Sequence, residues 1–157
     1  MTTTAEIHDA SCHCGTVRLR VRLAEGFRTA RRCTCSFCRM RGAVVVSVRL
    51  SDIEFLAGAD NLTLYQFNTR TAKHWVCRTC GIYTHPQRRS KPDEFGINVA
   101  CLTGISPFDL AEVPVMDGVS HPADTGQPAR VAGILRYDPA QAGTCPDTAA
   151  RPWLSPP

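Results

Sequence analysis

Cys33-Thr34-Cys35-Ser36-Phe37-Cys38, continued by Arg39-Met40-Arg41-Gly42, packs three thiols into six residues. Upstream stands Cys12-His13-Cys14-Gly15, and downstream Cys77-Arg78-Thr79-Cys80-Gly81. Such C-x-C and C-x-x-C pairs are metal-ligand spacings, because a tight turn aims both sulfurs at one ion about 2.3 Å away. Seven thiols in three clusters divide into one site with four thiolates and one with three. A structural zinc site is closed by four protein ligands, whereas a catalytic one keeps a position open. Cys12, Cys14, Cys77 and Cys80 are the expected structural quartet, since joining them closes a long loop and so constrains the unfolded chain most. Spacing alone leaves the pairing of the clusters open to permutation. Cys33, Cys35 and Cys38 remain as the second, open set.

The whole composition agrees with a reducing setting. Nine cysteines in 157 residues suggest a disulfide scaffold only for a short secreted chain, and an odd count suits that poorly. The start, Met1-Thr2-Thr3-Thr4-Ala5-Glu6, lacks the basic and apolar pattern of a secretory signal. No apolar run approaches the ~20 residues that span a bilayer. The expected location is therefore cytoplasmic, without a membrane partner. A net charge of +4 is mild: it suits a small anionic ligand and argues against nucleic acid, which calls for a clustered basic stripe.

Around the cysteines the pattern is that of strands. Thr16 to Leu23 alternates Val17, Leu19, Val21 and Leu23 with Arg18, Arg20 and Arg22, the period of a half-buried strand. Further strands are expected at 43–48, 53–56, 62–67, 72–76, 82–85 and 132–137, and one with Phe95, Ile97, Val99 and Cys101 on a shared face. Ser106-Pro107 can cap a helical turn through Glu112. Residues 1–10 read as a loose leader, 114–128 as irregular, and 138–157 as a proline-rich tail holding a free Cys145. The chain is mainly antiparallel β over 11–137, with cysteine knuckles tying strand ends together. Cys101 reads as core, and His13 as pointing away from its neighbours' ion. His85 and His121, each before a proline, read as surface residues or spacers. Tyr65, Phe67, Trp75 and Tyr83 read as core or cleft wall.

Three thiolates around a divalent zinc carry a net charge of −1 and acidify water less than neutral ligands do. Such a site suits a fourth soft donor, and a substrate thiol bound there stays nucleophilic. The extra negative charge calls for cations, which Arg39 and Arg41 can supply. Arg88 and Arg89, in Gln87-Arg88-Arg89-Ser90-Lys91, are candidate contacts for the carboxylates of a thiol peptide, with Arg70 and Lys73 nearby.

The order Cys12-x-Cys14-Gly15, Cys33-x-Cys35-Ser36-x-Cys38, Cys77-x-x-Cys80-Gly81 resembles the glutathione-dependent formaldehyde-activating enzyme family, whose domain also occurs in vertebrate centromere protein V. Phe95 to Leu102 and Asp117-Gly118…His121-Pro122 look like its bacterial members, and the resemblance spans about 11 to 137. It implies a mainly β, tent-like zinc fold related in shape to methionine sulfoxide reductase B. It also implies two zinc ions: a structural one on Cys12, Cys14, Cys77 and Cys80, and a catalytic one on Cys33, Cys35 and Cys38. The implied activity is that of a carbon–sulfur lyase, reversibly joining formaldehyde to glutathione or a similar thiol. Two other readings compete: a non-catalytic zinc module that binds nucleic acid or protein, and a metal-free redox trio.

Overall fold

The structure is a computed structural model that describes residues 5–140. It is built from antiparallel strands in three sheets, ordered β1-β2-β5, β11-β10-β3 and β4-β9-β8-β7-β6, and only β3 lies parallel to its partner. Strand β2 (Arg18–Leu23) realises the alternation of its sequence: Leu19, Val21 and Leu23 are buried and the intervening arginines are exposed. Its neighbours are β1 (Glu6–Ser11) and β5 (Ile53–Ala57).

The largest sheet holds β4 (Val45–Arg49), β6 (Leu62–Tyr65), β7 (Lys73–Cys77), β8 (Tyr83–Gln87) and β9 (Glu94–Asn98). Val46, Val48 and Ile97 of this sheet meet Leu19, Val21 and Leu23 of the first, and Val17 just before β2, in one core. The third sheet joins β3 (Arg32–Cys33) to the hairpin of β10 (Glu112–Met116) and β11 (Val131–Arg136). Val115 stands opposite Arg32 and Met116 opposite Cys33, which brings the end of β10 against the central cysteines.

Several expectations need correction. The loose leader is largely a strand: Glu6 to Ser11 pairs with Leu23 back to Arg18. Its sequence lacks a clean alternation, so the edge of β2, the buried Ala10 and the Asp9–Arg20 ion pair at 2.8 Å define it instead. The strand through Cys101 stops at Asn98, whose side chain accepts from Ala100 N and starts a 3-10 turn over Val99–Cys101. The helical turn after Ser106 covers only Pro107–Asp109, closed by a capping box between Ser106 and Asp109. The segment read as irregular contains β10 and a short helix, α2 (Pro122–Thr125). His85 is 1% exposed, stacked on Trp75 at 4.7 Å, so it is a core residue rather than a surface spacer. Most of the proline-rich tail, with Cys145, lies outside the described residues. Among the described residues no helix is long and apolar enough to cross a membrane.

Candidate functional site

Cys12 and Cys14 lie in the turn between β1 and β2, while Cys77 ends β7 and Cys80 lies in the turn that leads to β8. The four sulfurs gather within 4.8 Å of one another, with Cys12–Cys14 at 3.5 Å and Cys14–Cys77 at 3.8 Å. Tetrahedral zinc with its usual sulfur distance separates its ligands by about 3.8 Å, so this donor set fits the ion. Polar groups already face the sulfurs: Val17 N donates to Cys12 at 3.3 Å, Asn61 Nδ2 to Cys77 at 3.6 Å, and the Thr16 hydroxyl lies 3.2 Å from Cys14. Gly81, at φ +74°, bends the chain so that its N–H reaches Cys77 O at 2.9 Å. The quartet links the first sheet to the largest. His13 is exposed and outside it, and the buried Cys101 donates to Tyr83 O instead of joining it.

The second group has a different construction. Cys33 ends β3, Cys35 caps α1 (Ser36–Arg41), and Cys38 sits one turn along it. Cys35 Sγ accepts from Cys38 N at 3.4 Å, and Cys33 Sγ accepts from Cys35 N at 3.4 Å. Local backbone therefore fixes all three sulfurs within 4.8 Å, again a set able to hold zinc. No fourth histidine, cysteine or carboxylate ligand joins them among the described residues. Crowding splits their acidity: hydrogen bonds with Cys33 and Cys38 pull Cys35 down, whereas hydrogen bonds with Cys33 and Cys35, together with burial, push Cys38 up. Three adjacent thiolates repel one another, and a cation is what allows all to ionise.

The backbone of the β10–β11 connection closes over this trio. Gly118 N donates to Thr34 Oγ1 at 3.0 Å, and Thr34 N to Met116 O at 3.0 Å. A side-chain carbon at Gly118 would stand 2.3 Å from Cys33 Sγ, so only glycine allows the approach. Asp117 holds the loop by accepting from Val119 N, Ser120 N and Arg130, contacts that keep its carboxyl below the usual range.

Of the four arginines singled out from sequence, Arg41 is the one that reaches a thiol of the trio, donating to Cys38 Sγ at 3.5 Å. Its guanidinium lies 3.5 Å over the Tyr83 ring and 3.4 Å from His74 Nδ1, while its buried Nε has no partner. Burial, with Arg41 beside it, holds His74 near about 4 and thus neutral. Arg39 is exposed at the rim of the cavity. Arg88 is tied to Glu94 at 3.0 Å, and Arg89 is locked onto Asp124 of α2. Arg70, Lys73 and Lys91 do not line the cavity.

Cys33, Cys35 and Cys38 open into a cavity of about 510 Å³ walled in part by Phe67, Tyr83 and Pro86. Among the described residues its acidic lining is Asp117 and Asp124, set against Arg31, Arg32, Arg39, Arg41, Arg88 and Arg89. Both carboxylates already hold an arginine. Arg31 and Phe37 were missed from sequence, whereas His74, a candidate fourth ligand on residue type, lines the cavity without joining the trio's ligand set. Arg31 carried one usable signal, its two-residue spacing from Cys33. Phe37 gave none, because its contact with His74, at 4.5 Å between ring centroids, joins α1 to β7 across a long stretch of chain.

Comparison with known proteins agrees with this arrangement. The family model described as glutathione-dependent formaldehyde-activating enzyme matches residues 7–112. That span contains both cysteine groups and all of β1 but Glu6, and ends where β10 begins. The crystal structure of a Rhodobacter sphaeroides protein, a Northeast Structural Genomics target, is similar at 64% identity and a TM-score of 0.67, covering 68% of this chain and 98% of that one. With its mainly β fold, its two cysteine groups and a match over most of its length, the chain belongs to the glutathione-dependent formaldehyde-activating enzyme family.

Proposed function

We propose that the protein is a zinc-dependent carbon–sulfur lyase that joins glutathione or a similar thiol to formaldehyde or another small electrophile. Cys12, Cys14, Cys77 and Cys80 hold a structural ion in this reading, and Cys33, Cys35 and Cys38 hold a second one. The observation that carries it is the contrast between a quartet of sulfurs and a trio without a fourth side-chain ligand, facing a cavity of about 510 Å³. Zinc on the trio supplies a Lewis acid with room for a soft donor such as a thiolate.

The chain's own residues do the rest. Arg41 places positive charge on Cys38 and offsets the excess negative charge that four sulfurs create. Phe67 and Tyr83 give the cavity apolar walls that strengthen charge interactions inside it. Arg39, at the rim, is placed to meet an oxyanion as it forms. In the forward direction the thiol sulfur bonds to the carbonyl carbon, the C=O π pair moves to oxygen, and the thiol's proton ends on that oxygen. The product is a hydroxymethyl thioether.

Two measurements test this. Purified protein should contain two zinc ions per chain and speed the consumption of formaldehyde by glutathione above the spontaneous rate. An unchanged rate with both ions present overturns the reading and leaves a non-catalytic zinc module as the better account.

A further inference from the structure

We propose that Arg31 and Arg88 form a carboxylate-binding subsite beside Cys33, so that one of the two reactants carries a carboxylate. The inference rests on the function above for the identity of the reactants, not for the anion site itself.

Arg31 bridges to Val45 just ahead of β3 and stands two residues before Cys33. In extended chain that spacing puts both side chains on one face, and both line the cavity with Arg88. The two guanidiniums meet over one hydroxyl: Arg31 Nη2 donates to Ser47 Oγ at 3.1 Å, and Arg88 Nη1 at 3.4 Å. Ser47 in turn donates to Glu94 Oε2 at 3.0 Å.

Glu94 cannot neutralise this group. Its carboxylate already takes Arg88 at 3.0 Å and Lys91 at 3.2 Å. Arg31 has only neutral partners among the described residues, Thr29 O at 2.6 Å and Ser47 Oγ. Three cations thus share one carboxylate. Of the other arginines lining the cavity, Arg41 is engaged with Cys38 and Arg89 with Asp124, while Arg32 and Arg39 form no ion pair among the described residues and do not touch Ser47. A partly desolvated guanidinium without an anion is costly, and a carboxylate is the planar acceptor that matches its fork. The structure has therefore assembled the cations of an ion cluster and left its second anion to the ligand.

The test uses the zinc-loaded full chain and calorimetric titration with S-methylglutathione, which keeps its carboxylates but has no free thiol, and with its diethyl ester. The wild type should bind the acid at least about tenfold more tightly than the ester. Arg88→Met and Arg31→Met should lose that preference. Because the acid–ester comparison is made first on the wild type, it stands even if Arg31→Met fails to fold, and Arg88→Met provides the second variant. Glyoxylate identifies the source of the carboxylate. If ester and acid bind alike but glyoxylate binds the wild type about tenfold better than Arg88→Met, the subsite stands and serves the carbonyl reactant. Equal affinities in every comparison, or no binding of any probe, overturn the subsite. An acid preference that Arg88→Met abolishes, without any glutathione-dependent formaldehyde turnover, keeps the subsite and removes the proposed function, whereas a preference that Arg88→Met retains overturns the subsite. Turnover with no acid or glyoxylate preference does the reverse.

Discussion

Replacing Gly118 by alanine should empty the trio while leaving the quartet and the fold in place. The added methyl carbon would lie 2.3 Å from Cys33 Sγ and 2.9 Å from both Cys35 Cβ and Cys35 N. Comfortable contact requires about 3.5 Å or more, so the loop or the cysteines must yield by roughly 1 Å. The cysteines resist, because backbone N–H groups and α1 hold them. Loop withdrawal instead breaks the Gly118–Thr34 bond at 3.0 Å, a loss of about 1 kcal/mol. Overpacking in a tight site typically costs about 1–3 kcal/mol, which for a domain of this size lowers Tm by roughly 2–12 °C. Elemental analysis of Gly118→Ala should give a zinc content near one per chain, with activity lost and far-ultraviolet circular dichroism unchanged. Full zinc content and wild-type turnover would refute the claim that Gly118 backs the trio.

Cys35→Ser should abolish activity with a melting temperature close to that of the wild type, whereas Cys77→Ser should unfold the domain, because structural tetrathiolate zinc contributes on the order of 10 kcal/mol in small domains. Comparable mild effects from both, measured by thermal melts and turnover, would contradict that division. Arg41→Met removes the guanidinium from Cys38 and should release the trio's zinc to a chromogenic chelator about 10–100-fold more readily, with the quartet's zinc unaffected. Acid should weaken the fold through His85, which burial holds near about 4. The unfolded chain takes up a proton at this residue below about pH 6.5 and the folded one does not, so stability falls from pH 6.5 down to 4 and by about 3 kcal/mol in all. Urea denaturation should show a shallower pH dependence over that range for His85→Leu, and equal slopes would count against the assignment.

Much of this protein is legible in local pattern. The alternation over Val17 to Leu23 names its own buried face, since a strand side chain has only two sides to choose from. Cysteine spacing is equally local: a turn of two or three residues puts Cys35 and Cys38 together wherever the rest of the chain goes. Which clusters join is a tertiary matter, and the meeting of the β1–β2 turn with the β7–β8 turn groups Cys12 and Cys14 with Cys77 and Cys80. Strand β1 shows the opposite case, because its residues have no strong preference and take their structure from the edge of β2. His85 was misjudged for a related reason. Its neighbour Pro86 suggests a turn, but both sit inside β8, and the aromatic box of Trp75, Phe55 and Phe95 comes from three other strands.

The sequence by itself determined which atoms are available for metal chemistry, through ligand type and spacing that neighbouring residues control. Only the tertiary structure decided what surrounds them. Gly118 reaches Cys33 across 85 residues of chain, and Arg31 and Arg88 meet at Ser47 because β4, β8 and β9 pair edge to edge. Short-range spacing encodes a ligand set; the charges and walls that select its substrate come from distant segments, and no local pattern records which of them will meet.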